Sequence, residues 1–322
     1  MTVRHPAPPL QRHQFAAPEP GPRLLVLGAV HGDETCGTRA IERLLGELQR
    51  GELELQRGLL TLVPVTNPLA YQLGKRQGER NLNRNLRIHA APANYEDRIA
   101  NILCPWISEH QVLLDLHSFH TAGVPFAMLG PPDNAGPIEA FAHAAAEQRM
   151  ALHLGTTRIV EGWMETYAQG VARRRREGRV SAPDLLDNCY GVGTTEFART
   201  QGLYGITLEC GQHQDPHAPQ VAYQAIRQTL ALLGMVDAPL APPQPGIEVI
   251  KLVDVIDMEH AGDLFVREWA SFDRVSRGQL IGHRHGGAPV TAPQDGFIVF
   301  PNPNALVGNE WFYFGVESGR KI

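Results

Sequence analysis

One short apolar run, residues 24–27, constrains the fold of this chain more than any other stretch. The run is followed by Gly28 and Ala29, which predicts a buried strand that ends in a loop. His31 and Glu34 both stand in that loop. An imidazole and a carboxylate in one short turn suit Zn²⁺, which takes nitrogen and oxygen ligands. Two ligands do not make a site, so other segments must supply a third ligand and an acid or base.

Further apolar runs predict more strands, and segments with helical spacing of apolar residues separate them. The predicted strands are residues 58–65, 112–116 and 205–208, and the predicted helices are residues 35–48, 95–110, 138–148 and 221–233. Strands that alternate with helices favour an α/β sheet, in which ligands collect at the carboxyl ends of the strands. His31, His117 and Glu209 each follow a predicted strand directly. We therefore expect these three residues to converge on one edge of the sheet.

The composition divides the chain into four parts. Residues 1–22 contain six prolines and predict an irregular N-terminal arm, and we expect residues 23–237 to form the α/β domain. Residues 238–246 are a Pro-rich linker, after which five short alternating runs predict a small all-β domain over residues 247–322. Within the α/β domain, residues 161–190 are polar and Arg-rich, and we expect them to form a long surface excursion.

Charge and cysteine content exclude several classes of protein. The formal net charge of −5 gives no bulk preference for nucleic acid or an anionic membrane. No apolar run approaches the roughly 18–20 residues that a membrane span requires. The N-terminal segment lacks the apolar h-region that a secretory signal requires, so we do not expect it to be one. The four cysteines show neither a CxxC pair nor a dense framework, which fits a reducing cytoplasm.

The polar residues together support metal-assisted hydrolysis. Three protein ligands leave zinc one open position for a water molecule, and a nearby carboxylate can move the proton. Arg76, Asn83 and Arg84 lie in a polar segment, residues 74–87, and arginines can polarise a carbonyl or clamp a carboxylate. In the same segment, we expect Arg80 and Arg87 to be solvated.

Four motifs, in this order, resemble those of the succinylglutamate desuccinylase/aspartoacylase family. The motifs are His31-Gly32-Asp33-Glu34, Arg76 with Asn83-Arg84, Asp115-Leu116-His117, and Thr207-Leu208-Glu209-Cys210-Gly211. This family is a branch of the zinc-carboxypeptidase-like hydrolases, and the resemblance covers roughly residues 24–235. It implies a mixed α/β sheet flanked by helices, with a C-terminal β domain beside the active site.

The resemblance also implies roles for individual residues. One Zn²⁺ per chain would be held by His31, Glu34 and His117, with Glu209 as general base and acid. Arg76 would act at the scissile carbonyl, and Asn83 and Arg84 would bind a substrate carboxylate. Family members place a further Arg and Tyr shortly before the catalytic Glu, and Arg199 and Tyr204 are the candidates in this chain.

The reaction implied is hydrolysis of a small N-acyl amino acid, or a similar amide, to a carboxylate and an amine. Two alternatives stay open at this point: a metallocarboxypeptidase that acts on peptides, and a non-catalytic zinc-binding module on the same scaffold. We expect a small-molecule substrate and no nucleic-acid or membrane partner. The β domain is a candidate for homo-oligomer contacts. We also expect His120, His213 and His217 to line or edge the cleft.

Overall fold

The structure, a computed structural model, describes residues 8–178 and 187–322. It consists of a central eleven-stranded mixed sheet, helices on the faces of that sheet, and a separate three-stranded sheet. The strands are β1 His13–Ala16, β2 Glu19–Gly28, β3 Arg57–Val63, β4 Val112–Phe119, β5 Phe126–Met128, β6 Arg158–Glu161, β7 Tyr204–Gln212, β8 Glu248–Asp257, β9 Leu264–Phe265, β10 Arg274–Val275, β11 Leu280–His283, β12 Pro289–Thr291, β13 Gly296–Val299 and β14 Glu310–Glu317. The helices are α1 Cys36–Gln49, α2 Pro68–Leu73, α3 Tyr95–Ser108, α4 Ala144–Leu152, α5 Trp163–Glu177, α6 Thr194–Thr200 and α7 Ala218–Leu232.

Four parallel strands form the middle of the large sheet, in the order β3-β2-β4-β7. Successive side chains of a strand point to opposite faces, so Leu24 and Val26 of β2 pack on one face with α1 and α7. Leu25 and Leu27 pack on the other face with α3 and α6. Burial on both faces explains why this strand is apolar throughout rather than alternating.

The predicted fold class is confirmed, because the sheet is mixed and flanked by helices and a C-terminal β region follows. The C-terminal strands extend the central sheet: β8 pairs in parallel with β6, and β14, β13 and β10 add in antiparallel order. The three-stranded sheet, β12-β11-β9, is the only part of that region that pairs separately among the described strands. The four-part division of the chain stays a prediction.

The structure departs from the predicted irregular arm, since part of residues 1–22 forms strands. His13–Ala16 pairs with β3 as an antiparallel edge strand, and β2 begins at Glu19. The prolines at 20 and 22 are tolerated because they precede the residues that pair with β4 and coincide with a register shift against β3. Residues 1–7 of the predicted arm lie outside the described residues.

The predicted surface excursion over residues 161–190 is wrong where α5 forms. Met164, Tyr167 and Val171 are buried at helical spacing, which gives the helix an apolar face. Arg174, from the run of four arginines, is also buried and forms an ion pair with Asp257 at 2.6 Å. The four arginines concealed this face in the sequence pattern. Residues 179–186 of the predicted excursion lie outside the described residues.

The helix predicted over residues 138–148 begins later, at Ala144. The preceding residues instead form an antiparallel bridge between Asn134 and Phe141. The side chain of Asp133 accepts a hydrogen bond of 2.8 Å from the Ala144 backbone and so marks the start of α4. Among all described helices, none has the length and apolar content to cross a membrane.

Candidate active site

The turn after β2 brings His31 and Glu34 together at the carboxyl edge of the parallel strands. The Glu34 backbone donates to the His31 carbonyl at 3.2 Å, which closes the turn. Ala29 adopts a positive φ of 46°, and the Gly32 backbone lies so close to Ala70 that a side chain could not fit. Both side chains are buried, with His31 2% and Glu34 1% exposed. The turn is therefore a fixed, closely packed part of the structure.

The protonation of His31 follows from its neighbour Asn81. Oδ1 of Asn81 accepts a hydrogen bond of 2.9 Å from the Asn83 backbone and lies 3.0 Å from Nε2 of His31. Since this oxygen can only accept, Nε2 of His31 carries a proton. Burial, helped by the nearby Arg76 charge, lowers the pKa of His31 to about 4. The ring is therefore neutral at pH 7, and its Nδ1 carries no proton.

His117 lies near the end of β4 and is oriented by Asp115. Nε2 of His117 is 2.8 Å from Oδ2 of Asp115, which also accepts a hydrogen bond from the Thr194 hydroxyl. Nδ1 of His117 points to Glu34, 2.8 Å from Oε2. Although burial opposes the charge, the Asp115 and Glu34 carboxylates raise the pKa of His117 well above its usual range. Asp115 therefore fixes which nitrogen faces the site, as expected for an outer partner of a metal ligand.

The three residues fit a bound cation. One ligand atom from each of His31, Glu34 and His117 lies within 4.8 Å of the others. The unprotonated Nδ1 of His31 is 2.8 Å from Oε1 of Glu34, so two acceptors face each other without a proton between them. A cation would satisfy both acceptors at once. Two nitrogens and a carboxylate suit a borderline divalent ion such as Zn²⁺.

Glu209 lies on β7 directly opposite His117 in the register with β4. Its side chain is buried, and its Oε2 has no hydrogen-bond partner within residues 8–178 and 187–322. Burial, reinforced by the neighbouring Glu34 carboxylate, raises the pKa of Glu209 well above its usual range. A buried carboxyl with a free oxygen and a raised pKa can take and release a proton at a higher pH than an ordinary glutamate.

The polar segment 74–87 is held in place by two acidic residues at the start of α3. The Glu96 carboxylate accepts backbone hydrogen bonds from Gly78, Glu79 and Arg80. Arg80 forms an ion pair with Asp97 at 2.8 Å and donates to the carbonyls of Asn81 and Arg84. The expectation that Arg80 is solvated is therefore wrong. The segment lacks periodicity because side-chain hydrogen bonds, rather than a helix or strand, fix its backbone.

This segment delivers Arg76, Asn83 and Arg84 to the site. Arg76 donates to Oε1 of Glu34 at 3.0 Å, and its side chain is 39% exposed. Oδ1 of Asn83 accepts a hydrogen bond from the Thr194 backbone at 2.9 Å, so this atom positions the start of α6. Arg84 is nearly buried and stacks over Trp163 at 5.1 Å.

The surroundings of Arg84 include residues that the sequence patterns did not identify. Glu310, from β14, lies 3.8 Å from the Arg84 guanidinium, too far for a hydrogen bond. Tyr167 of α5 and Tyr313 of β14 also lie near this charge, and both hydroxyls are buried without a partner among the described residues. Only tertiary contact between distant segments brings them here. No local motif could have revealed them.

Arg199 and Tyr204 do not lie with the other predicted site residues. The Arg199 guanidinium is buried in ion pairs with Glu147, Glu139 and Glu196, at 2.9, 2.7 and 3.4 Å. Tyr204 is at the opposite end of β7, roughly 16 Å from Glu209 at 3.3 Å per residue. His31, Glu34, His117 and Glu209 form a cluster at the carboxyl edge of the parallel strands, which we call the carboxyl-edge cluster. It forms without Arg199 and Tyr204, because the residues that precede Glu209 run along the strand away from that edge.

A cavity of about 490 Å³ lies outside the cluster of candidate metal ligands. Its walls include Arg199, Glu139, Trp163 and Arg320, and none of the three candidate metal ligands. Trp163 is also the residue over which Arg84 stacks. The cavity thus reaches a side chain that contacts Arg84.

Comparison with known proteins finds similar sequences over most of this chain. Residues 20–235 match the model of the succinylglutamate desuccinylase/aspartoacylase catalytic domain. A succinylglutamate desuccinylase of Pseudomonas paraeruginosa is 26% identical over 315 residues, which cover 91% of this chain and 84% of that protein.

Solved structures share the fold. A succinylglutamate desuccinylase/aspartoacylase from Rhodobacter sphaeroides aligns with a TM-score of 0.72 at 16% identity, covering 96% of this chain and 90% of that one. The product-bound ectoine utilization protein EutE (DoeB) from Ruegeria pomeroyi aligns with a TM-score of 0.69 at 21% identity, covering 95% and 88%. The family model covers more than half of the sequence, in the segment that contains the whole carboxyl-edge cluster. This chain belongs to the succinylglutamate desuccinylase/aspartoacylase family of hydrolases.

Proposed function

We propose that the protein is a zinc-dependent hydrolase of the amide bond of a small N-acyl amino acid or a similar amide. The observation that carries the proposal is the buried convergence of His31, Glu34 and His117 beside Glu209, whose Oε2 has no hydrogen-bond partner among the described residues. One Zn²⁺ per chain would be held by the two imidazoles and Glu34. When bound there, the ion would supply Lewis-acid activation of water and of the scissile carbonyl.

Glu209 would move the proton in the reaction. Its free oxygen can accept the proton of the attacking water and then donate it to the leaving nitrogen. The raised pKa of Glu209 suits both steps, because the protonated form persists closer to neutral pH. A carboxylate that bound the metal could not do this as well, and Glu34 already faces both imidazoles.

Arg76 would stabilise the oxygen of the scissile carbonyl as negative charge develops on it. The guanidinium is adjacent to Glu34 and partly exposed, so it can reach a substrate at the mouth of the site. Hydrogen bonds from a fixed cation strengthen as charge develops, which lowers the barrier.

Arg84 would bind a carboxylate of the substrate, with the Tyr167 and Tyr313 hydroxyls as further donors. Among the described residues, its guanidinium donates only to the Asn83 carbonyl, so most of its donors are free. The Tyr167 and Tyr313 hydroxyls are buried without a partner among the described residues, which is costly, and a substrate carboxylate would satisfy them together with the guanidinium. Asn83 would support this pocket by holding the start of α6.

The test combines metal content with amine release. The wild-type protein and the Glu209→Gln variant would be assayed together by mass spectrometry for metal and by a primary-amine assay on a panel of N-acyl amino acids. We expect about one zinc per chain in both proteins, and amine release at least ~100-fold slower in the variant. A chain that binds no zinc, or a variant with full activity, would overturn the proposal.

A further inference from the structure

A second group of side chains with metal-ligating atoms lies beside the proposed zinc site. It consists of Asp33, His120 and His213, and one ligand atom from each lies within 4.8 Å of the others. The three residues come from different loops, which follow β2, β4 and β7 respectively. None of them is among the ligands proposed for the first ion. The three loops thus bring two imidazoles and one carboxylate to a single point.

The two histidines meet through their ring nitrogens. Nε2 of His213 lies 3.1 Å from Nδ1 of His120, and the ring planes are inclined by 81°. Two nitrogens bound to one tetrahedral zinc at 2.0–2.1 Å would be about 3.3 Å apart, which is close to the observed separation. The other nitrogen of His213, Nδ1, is 2.8 Å from the Ser118 hydroxyl, which fixes the ring.

Asp33 supplies an independent observation. Its Oδ1 is buried, and within the described part of the chain it accepts no hydrogen bond. A buried carboxylate oxygen without a donor or a cation is unfavourable. A positively charged partner at this site would remove that cost. An imidazole–imidazole hydrogen bond would explain the contact between His120 and His213. It would leave Oδ1 of Asp33 unsatisfied.

We propose that Asp33, His120 and His213 form a second binding site for a divalent transition-metal ion of the Zn²⁺ or Co²⁺ type. Two nitrogens and one oxygen match the ligand preference of these ions and leave a position for water. His120 is exposed and Asp33 is only partly buried, so this ion exchanges with solvent more readily than one bound by the fully buried triad. We therefore expect the second ion to bind at least tenfold more weakly than the first.

The two sites share structural supports. The Ser118 backbone donates to Oε2 of Glu34 at 3.1 Å, and the Ser118 hydroxyl contacts His213. Asp33 directly precedes Glu34 in the same turn. An ion in the second site would thus tie the loops after β4 and β7 to the turn that carries the first ligands.

The experiment is a titration of the purified full-length protein with Zn²⁺ by equilibrium dialysis, repeated with Co²⁺ and followed by its d–d absorption. Under an excess of metal, the wild-type protein is expected to bind a second, weaker ion besides the one that it keeps through purification, and so to saturate at two ions per chain. His120→Ala and Asp33→Asn should each bind one, or bind the second ion at least tenfold more weakly. His217→Ala is the matched control, because His217 lies in the same loop as His213 but outside the cluster, and it should bind two ions.

Variants of the first site separate this inference from the proposed function. His31→Ala should lose the tighter ion and keep the weaker one. If His31→Ala still bound two ions, the proposed zinc site would fail, while loss of one ion in His120→Ala would still support the second site. A wild-type protein that saturates at one ion, or a His120→Ala variant that keeps two ions of unchanged affinity, would overturn the inference. Thermal unfolding would verify that each variant is folded.

Discussion

His31 and His117 each have one ring nitrogen held by a neighbour, which leaves the other nitrogen to face Glu34. Asn81 holds His31, and Asp115 holds His117. The two neighbours differ, since one is a neutral amide and the other a carboxylate. We therefore expect substitution of the neighbouring residue to change the basicity of His31 and of His117 to different extents.

Asp115→Asn should weaken metal binding by about 10–100-fold, because the carboxylate that orients His117 and raises its basicity is lost. The measurement is competition for Zn²⁺ with a chelator of known affinity. Asp263→Asn, a buried aspartate paired with Arg284 in the C-terminal region, is the control and should leave the metal affinity unchanged. An unchanged affinity in Asp115→Asn would argue against His117 as a ligand oriented in this way.

Arg84→Lys should raise KM for an N-acyl amino acid by about tenfold or more, with a smaller change in kcat. Lysine keeps the charge but loses the planar pair of donors that matches a carboxylate. Loss of binding that is equal in the ground state and the transition state appears in KM. Arg87→Lys, at an exposed position three residues later, should leave KM unchanged. A KM that did not change in Arg84→Lys would place the substrate carboxylate elsewhere.

Helices α4 and α6 are joined by one buried arginine. Arg199 of α6 bonds Glu147 of α4, and Glu147 also accepts hydrogen bonds from the Gly130 and Gly205 backbones. The Arg199 and Glu147 side chains are 3% and 0% exposed. These contacts indicate that Arg199 stabilises the packing of helices and strands.

Arg199→Gln should lower the free energy of unfolding by about 3–5 kcal/mol, because it leaves Glu147 buried without its cation. Urea unfolding of the wild type and the variant measures this change. Arg39→Gln, at an exposed position on α1, should change stability little. Should Arg199→Gln raise KM without loss of stability, the residue would contact the substrate as the family resemblance implied.

His110 joins the end of α3 to β3 as a neutral ring. Its nitrogens lie 2.6 Å from the Trp106 carbonyl and 2.7 Å from the Thr61 hydroxyl, and burial lowers its pKa below the usual value. The unfolded chain, with a His pKa near 6.5, therefore binds a proton more readily than the folded chain. His110 therefore lowers the free energy of unfolding as the pH drops through about 6.5 toward the pKa of His110 in the folded state.

His110→Gln should therefore flatten the decline in stability on acidification. Urea midpoints compared between about pH 5 and 8 would measure the slope for each protein. His143→Gln, at an exposed histidine, should keep the wild-type slope. If His110→Gln followed the wild-type curve throughout, the pH dependence would come from other groups.

At the scale of the whole molecule, the central sheet is continuous from the edge strand β1, near the N-terminus, to the opposite edge strand β10, in the C-terminal region. β8 covers the edge of β6, and Ile250 and Leu252 of β8 pack in one cluster with Phe126 and Val160. The C-terminal region therefore completes the core of the catalytic part.

Deletion of residues 247–322 should yield an insoluble or unfolded chain, because it exposes the β6 edge and the apolar cluster beneath β8. Soluble yield and circular dichroism would measure the outcome, with the full-length chain prepared in parallel. A soluble, folded fragment 1–246 would show instead that the predicted boundary separates two independent domains.

The sequence predicted the residues whose place follows from a single strand and its exit. His31, His117 and Glu209 all follow apolar runs that are buried on both faces, so the pattern located them at one edge of the sheet. It failed where polar composition concealed a buried face, as in α5. It also could not predict Glu310 and Tyr313, because their approach to Arg84 depends on how β14 joins the sheet.

The match to the family model ends at residue 235, whereas Glu310 and Tyr313, which lie beside the Arg84 guanidinium, come far beyond it in the sequence. The segment that contains the proposed catalytic residues, within residues 20–235, is thus separate in sequence from β14, which contributes residues beside Arg84. Under the proposed function, substitutions in β14 would change which substrate fits, while the turn after β2 that carries His31 and Glu34 stays as it is. Exchange of the C-terminal strands between relatives is accordingly a direct route to altered selectivity with unchanged reaction chemistry.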